Sequence, residues 1–391
     1  MNIPKLRFPE FKDEWKKRTL KELTKINQGL QIPIKDRFTS KQENSFFYIT
    51  NEFLKEDSKV KFYIKNPPKN VRCTSKDILM TRTGNTGIVI TGVEGAFHNN
   101  FFKVDYNEEF LHKYFLYLFL TNTTTQNLIL RYAAGSTILD LNHNDFYKIP
   151  ITFPTLPEQT KIANFLSEID KRIKLLTDKV SKLEEYKKGA MQKLFSQEVR
   201  FKEENGEEFP EWDKMKLGQI YKFKQGVQVP INEQFSTKDN ERERFIRIID
   251  LTDSSVKPRY IEKYQYSDII ESNDLFMVRY GSPGLLGVGF KGVIANNLFR
   301  LIPKSNKCNS FFFYYILTYF NQRILNLTNT STMPAINFTS LSVLKLNIPS
   351  LPEQTKIANF LSSLDKKIEL ATKELNKTEE YKRGLLQQMF I

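Results

Sequence analysis

Two stretches of the chain carry apolar residues at alternating steps of four and three. The first series is Ile162, Leu166, Ile169, Ile173, Leu176, Val180 and Leu183, with Ala190 and Leu194 beyond a polar Lys187. The second is Ile357, Leu361, Leu364, Ile368, Ala371 and Leu375, then Thr378, Lys382, Leu385 and Met389. A mean step of about 3.5 residues is the seam of a coiled coil. As helices, Pro157–Phe195 and Pro352–Phe390 would each be ~58 Å long at the α-helical rise. Pro157 and Pro352 fall where a first-turn proline is tolerated, and Glu158 and Glu353 follow near the positive end of the helix dipole. A narrow apolar stripe on so long a helix needs a narrow partner, and each stretch supplies one for the other. The alternative is two amphipathic helices buried separately, each on its own globule.

The remaining sequence alternates short β-rich runs with turns. Phe46–Thr50, Arg244–Asp250, Asp77–Thr83, Asp274–Tyr280 and Gly87–Thr91 read as strands, with GNTG and GSPG as turns. One helix is expected near Leu111–Thr121, matched by Ser310–Tyr319. The pattern predicts an α+β, or mixed α/β, chain of two similar globules separated by two long helices that form an antiparallel coiled coil. The boundaries expected are a globule over 1–155, a helical region over 156–199, a second globule over 200–350 and a second helical region over 351–391.

The two halves are copies of one another. LPEQTKIANFL occurs at Leu156–Leu166 and again, without a change, at Leu351–Leu361, an offset of 195. At that offset EEYKKG (Glu184–Gly189) answers EEYKRG (Glu379–Gly384). Ahead of these, at an offset of 197, QGLQIPI (Gln28–Ile34) answers QGVQVPI (Gln225–Ile231), and MTRTGNTG (Met80–Gly87) answers MVRYGSPG (Met277–Gly284). HNNFFK (His98–Lys103) parallels ANNLFR (Ala295–Arg300), and GSTILDLN (Gly135–Asn142) parallels TSTMPAIN (Thr330–Asn337). A repeat this long makes the architecture a pseudo-two-fold one, globule, helix, globule, helix.

Composition narrows the class. The 391 residues carry 59 Lys and Arg against 45 Asp and Glu, a formal charge of +14. Such an excess suits a polyanion, although a biased genome would produce the same Lys-rich chain. Two cysteines, Cys73 and Cys308, cannot build a disulfide framework. His98, His112 and His143 lack metal-ligand spacing, so no metal site is expected. The apolar runs Phe110–Leu120 and Phe311–Phe320 fall short of the ~20 residues that span a bilayer. The opening MNIPKLRFPEFKDEW has no apolar core of a signal peptide, so the expectation is a cytoplasmic protein without membrane contact.

Three motifs resemble catalytic ones and are discounted. GVGFKG (Gly287–Gly292) has the GxGxxG spacing, but the sequence after it reads as strand, and its counterpart in the first copy loses the pattern. Asn66-Pro67-Pro68-Lys69 resembles the tetrapeptide of adenine methyltransferases, yet Lys69 cannot stack a flipped base. Glu185-Tyr186-Lys187 and Glu380-Tyr381-Lys382 have nuclease-like spacing but lie on the long helices, where they read as surface charges. No histidine persists between the copies, which leaves a general base without support.

The doubled LPEQ-x-KIA-x-FL, the paired helices and the QG-x-Q-x-P and ST…N signatures resemble the specificity subunit of type I restriction–modification enzymes, over the whole chain. The resemblance implies a non-catalytic subunit with two target-recognition domains, each reading one half of an asymmetric bipartite site in double-stranded DNA. It implies that the helices set the spacer and dock two modification (methyltransferase) subunits, with restriction (endonuclease/translocase) subunits joining through them. The seam residues Ile162, Leu166, Ile169, Ile173, Leu176, Val180, Leu183, Ile357, Leu361, Leu364, Ile368 and Leu375 would carry those contacts. No cofactor would be bound by this chain; S-adenosylmethionine, ATP and Mg are expected on the partner subunits. The alternative is a stand-alone DNA-binding or anti-restriction protein on the same scaffold.

Domains that read different half-sites should share framework residues and differ at base readers. Shared positions, among them Gln28/Gln225, Gly29/Gly226, Arg82/Arg279, Asn100/Asn297 and Ser136/Ser331, are expected to hold the fold or phosphates. Divergent neighbours are the candidate readers: Thr83 and Asn85 against Tyr280 and Ser282, and Leu139 and Asp140 against Pro334 and Ala335. Lys35 and Arg37 are expected before one strand, and Arg242 and Arg244 before its counterpart. Thr137 and Thr332 complete the candidate DNA-binding set.

Overall fold

The computed structural model describes residues 3–55, 58, 60–134, 139–253, 255–263, 269–328 and 334–391. The chain forms two compact units, Met1–Thr177 with Lys373–Ile391, and Asp178–Thr372. The boundary between units therefore falls inside each long helix, whereas the sequence division treats each helical region as a whole.

The first unit holds two four-stranded sheets. One has the order Thr24–Gln28, Phe101–Tyr106, Ile78–Thr81, Val89–Thr91; the other has Phe62–Lys65, Ser45–Ile49, Gly95–Phe97, Arg72–Cys73. Lys16–Thr19 pairs separately with Pro150–Phe153. The second unit repeats this order with Tyr221–Gln225, Leu298–Pro303, Leu275–Val278, Leu286–Gly287, and with Arg259–Glu262, Arg242–Ile246, Gly292–Ile294, Ile269–Ile270. Asp213–Lys216 pairs with Lys345–Ile348. In each unit the same pair of strands runs parallel, Tyr48 opposite Ala96 and Phe245 opposite Val293. The expected helices appear as Lys113–Thr121 and Ser310–Tyr319.

One strand differs from expectation. The run Arg244–Asp250 splits: the strand is Arg242–Ile246, and Ile249–Thr252 is a helical turn. Asp250 caps this turn, its carboxylate accepting from both the backbone N–H and the guanidinium of Arg247, each at 2.9 Å, and the first unit turns at the same place after Ile49, with Phe53 where Asp250 stands. Alternating polarity cannot foresee a local side-chain cap of this kind.

The long helices are Leu156–Phe195 and Leu351–Met389. The repeated LPEQ at their starts is a buried lock. Glu158 is 1 % exposed and accepts from Arg7 Nε (2.7 Å), Arg7 Nη2 (2.8 Å) and Trp15 Nε1 (3.3 Å). Glu353 repeats this with Arg200 and Trp212. Gln159 accepts from the His112 N–H and donates to the Phe110 and Pro154 carbonyls, and Gln354 does the same with Asn309, Lys307 and Pro349. The glutamates therefore anchor the globule to its helix, a stronger role than complementing the helix dipole.

Within each unit the two helices meet antiparallel. In the first, Ile162 and Leu166 share a core with Leu385, Met389 and Phe390, and the Phe390 ring stacks on Phe115 at 5.0 Å. In the second, Ile357, Leu361 and Leu364 share a core with Met191, Leu194 and Phe195, and Phe195 meets Phe312 at 6.0 Å. Every seam position from Ile162 to Leu183 and from Ile357 to Leu375 is buried or half-buried. The polar breaks in the seam are explained as well. Lys187 is ion-paired with Asp365, which accepts from Tyr315, and Lys382 is ion-paired with Asp170, which accepts from Tyr114. Lys187 and Lys382 are thus interhelical contacts and not the solvated surface charges expected of them.

Candidate nucleic-acid interface

Four loops converge at one edge of each unit. In the first unit they are residues 28–37, 81–87, 98–100 and 139–143. A bridge joins Leu30 to His98, another joins Thr83 to Asp140, and the Arg82 N–H donates to the Asn100 carbonyl at 2.7 Å. The second unit has the same ties: Val227 to Ala295, Tyr280 to Ala335, and Arg279 N–H to the Asn297 carbonyl at 2.8 Å. The residues shared between copies make the frame. At Gly29 and Gly226 an added Cβ would strike the carbonyls of Phe97 and His98, or of Ile294 and Ala295, so only glycine permits the approach. Gly84 and Gly281 take φ of +88° and +95° at the turn tips, where other residues would be strained. Gln31 with Asn99, and Gln228 with Asn296, fasten the first loop through side-chain amides.

Fastened in this way, the loop presents an isoleucine to solvent in both copies. Ile34 is 76 % exposed and Ile231 84 %. Sequence reasoning passed over both, although their retention at a surface position was visible in the repeat. Asn51 was also missed: its amide donates to the Thr83 carbonyl at 3.1 Å, and Ile248 lies at the matching place beside Gly281.

Lys35 is exposed on the turn Ile34–Asp36. Arg37 is a brace, since its guanidinium gives two hydrogen bonds to the Ile32 carbonyl at 2.9 and 2.7 Å and lies over Tyr48 and Phe62. Its counterpart is Gln234, which donates to the Val229 carbonyl at 3.0 Å. Arg242 and Arg244 do not precede their strand; they lie in it, opposite Glu262 and Tyr260. Their register matches Ser45–Ile49 and not the Lys35 loop. Arg242 pairs with Asp239 and lies over Phe235, and Arg244 pairs with Asp250 and lies over Phe290. Charge alternating with apolar residues resembled a loop approaching a strand when it was the strand itself.

Thr83, Arg279 and Tyr280 are half-buried at the converging edge, and Asn85 and Ser282 are exposed at the turn tips. Ser136, Thr137, Ser331 and Thr332 lie outside the described residues. Arg82 forms a two-bond ion pair with Asp140 at 2.9 Å. That guanidinium, first, and then the Thr83 hydroxyl hold the Asp140 carboxyl below the ordinary range, against the opposing effect of burial. Burial, then the charge of Arg82, pushes His143 down, so it is neutral and its Nε2 donates to Gln28 Oε1. Among the described residues no group of three or more His, Cys, Asp or Glu is arranged to hold a metal, and no helix is long and apolar enough to cross a membrane. The segment GVGFKG runs strand, turn, strand, without the helix N-terminus that a dinucleotide requires.

Each unit thus carries the same sheets, the same loop edge and the same helix pair. The family model for the type I restriction modification DNA specificity domain matches residues 12–185 and 210–380. The chain therefore belongs to the type I restriction–modification specificity family, whose members recognise DNA through two target-recognition domains and leave catalysis to partner subunits. The MjaVIII specificity subunit of Methanocaldococcus jannaschii is 26 % identical over 364 residues, covering 88 % of this chain and 85 % of that one. The S subunit of a type I system from M. genitalium superposes with a TM-score of 0.70 at 18 % identity, over 100 % of this chain and 99 % of that one. A chain from a structure addressing complex assembly and conformational transition of the type I R-M system gives 0.53 at 17 %, over 96 % and 97 %.

Proposed function

We propose that each unit reads one half of an asymmetric bipartite site in double-stranded DNA through its four-loop edge. The observation that carries this reading is the division of labour in the repeat. Backbone ties and glycines at the edge are the same in both copies, while Thr83, Asn85, Leu139 and Asp140 face Tyr280, Ser282, Pro334 and Ala335. A shared frame with exchanged side chains is what two readers of different sequences require. Lys35 and the segments bearing Ser136, Thr137, Ser331 and Thr332 supply further contacts, while Arg37, Arg242 and Arg244 support the frame.

The long helices set the spacer and dock two modification subunits. Support comes from apolar residues that the seam leaves to solvent at equivalent positions, Leu175 (69 %) and Leu370 (58 %), with Tyr186 and Tyr381 (57 % each). Two copies of one surface suit two copies of one partner. S-adenosylmethionine, ATP and Mg act on the modification and restriction subunits, in the cytoplasm. The experiment is a domain exchange: residues 1–155 are replaced by those of a relative and methylation is mapped on genomic DNA. One half-site changes and the other stays. A change in both ends the modular reading.

A further inference from the structure

Equivalent arginines stand at the two candidate edges, and their charges are used differently. In the first unit Arg82 donates from Nε to Asp140 Oδ1 and from Nη2 to Oδ2, both at 2.9 Å, and the Thr83 hydroxyl donates to Oδ1 at 2.5 Å. In the second unit Ala335 replaces Asp140 and Tyr280 replaces Thr83. There Arg279 donates from Nη1 to Gln225 Oε1 at 2.7 Å and from Nε to the Ile336 carbonyl at 3.4 Å, and lies 4.9 Å over the Phe338 ring. Among the described residues these are the side-chain partners of Arg279, and none is a carboxylate.

The neighbours changed in step. His143, which serves Gln28 Oε1 in the first unit, is Phe338 in the second, and Arg279 takes over the amide oxygen that phenylalanine cannot reach. The first edge is thus neutral at this position and the second carries a full positive charge.

Arg82 and Thr83 occupy three of the roughly four acceptor positions of the Asp140 carboxylate, leaving one on Oδ2. The side chain is 32 % exposed. With Arg82 offsetting the charge that phosphates would repel, the remaining lone pair is an acceptor that is favourable at a DNA surface opposite a donor. In the major groove those donors are exocyclic amino groups, and the carboxylate's partner is cytosine N4.

We propose that Asp140, buttressed by Arg82 and Thr83, is the acceptor through which the first unit selects a base bearing an exocyclic amino group, cytosine foremost, whereas Arg279 neutralises a phosphate on the other half-site. This rests on the reading of each unit as a half-site reader. Arg82 is then a positioning residue, in spite of its alignment with a phosphate anchor.

The test uses the full chain assembled with its modification subunits, titrated at several salt concentrations onto duplexes that carry each base in turn. Arg279→Ala reduces the slope of log affinity against log salt by about one, without changing base preference. Arg82→Ala leaves the slope unchanged and lowers discrimination roughly tenfold at one base pair of the first half-site. Arg82→Lys restores part of that discrimination. Asp140→Asn, nearly isosteric, loses the same discrimination and steepens the slope by about one, because Arg82 is released. Thermal melts confirm that each variant is folded. Equal flattening by Arg82→Ala and Arg279→Ala, or an unchanged preference in Asp140→Asn, overturns the inference and leaves the half-site reading intact. Altered preference in both half-sites from Asp140→Asn removes the half-site reading as well.

Discussion

Ile34 and Ile231 are the plainest case of single residues whose exposure needs a reason. Each is held out by a loop fastened through Gln31 or Gln228, and each was kept while Lys35 became Asn232 beside it. On the edge proposed to read DNA, an apolar tip can meet a thymine methyl or wedge against a base step. Ile34→Ser and Ile231→Ser should leave stability within about 0.5 kcal/mol by thermal melt, as surface substitutions do. Both should weaken duplex binding in fluorescence anisotropy, each through its own half-site. Because the residue is the same in both copies, base preference should hold; a shift in preference would make it a reader. At this scale the sequence was only partly legible. The repeat separated frame from variation, but the pairing of Arg82 with Asp140 spans 58 residues and involves two loops. No spacing rule links them. Arg37 shows the same limit: its charge suggested DNA, and no pattern in the sequence foresees that two of its donors go to the Ile32 carbonyl five residues away.

At the scale of elements, the long helices were legible because their signal repeats over about nine turns and survives local exceptions. The strand at Arg242–Ile246 was misplaced because five residues carry too little pattern to mark where the strand ends and the turn Ile249–Thr252 begins. The helices also contain a testable weakness. Gly189 and Gly384 lie in helix interiors, and an added Cβ at either meets nothing within 4 Å. Gly189→Ala and Gly384→Ala should each stabilise the chain by about 0.5–1 kcal/mol, seen as a raised Tm. A lowered Tm would mean the helix deviates there in a way alanine cannot follow. Phe390→Ala, by contrast, empties the place beside Phe115 and should cost about 3 kcal/mol in chemical denaturation.

For the whole molecule, the interhelical ion pairs decide how a spacer can be altered. Arg172 holds Glu374 in one unit and Lys187 holds Asp365 in the other. Seven residues added to a single helix would break this register, so both must be lengthened between these pairs, within 174–186 and within 366–373. The paired insertion adds ~10 Å of helix, about three base pairs of DNA. Methylation mapping should then show a longer spacer between unchanged half-sites; an unchanged spacer would exclude the helices as its ruler.

The exchange of helix ends has one more consequence. Phe390 completes the core that contains Phe115, and Phe195 completes the one that contains Phe312. Phe195 and Phe390 are equivalent in the repeat, so a chain stopped after residue 199 would carry at its own end the plug its own globule lacks. Such a half-chain cannot close alone but can close around a second copy of itself. The expected product is a homodimer by analytical ultracentrifugation, symmetric where the parent is not, and its preferred target would be a palindrome assembled from a single half-site.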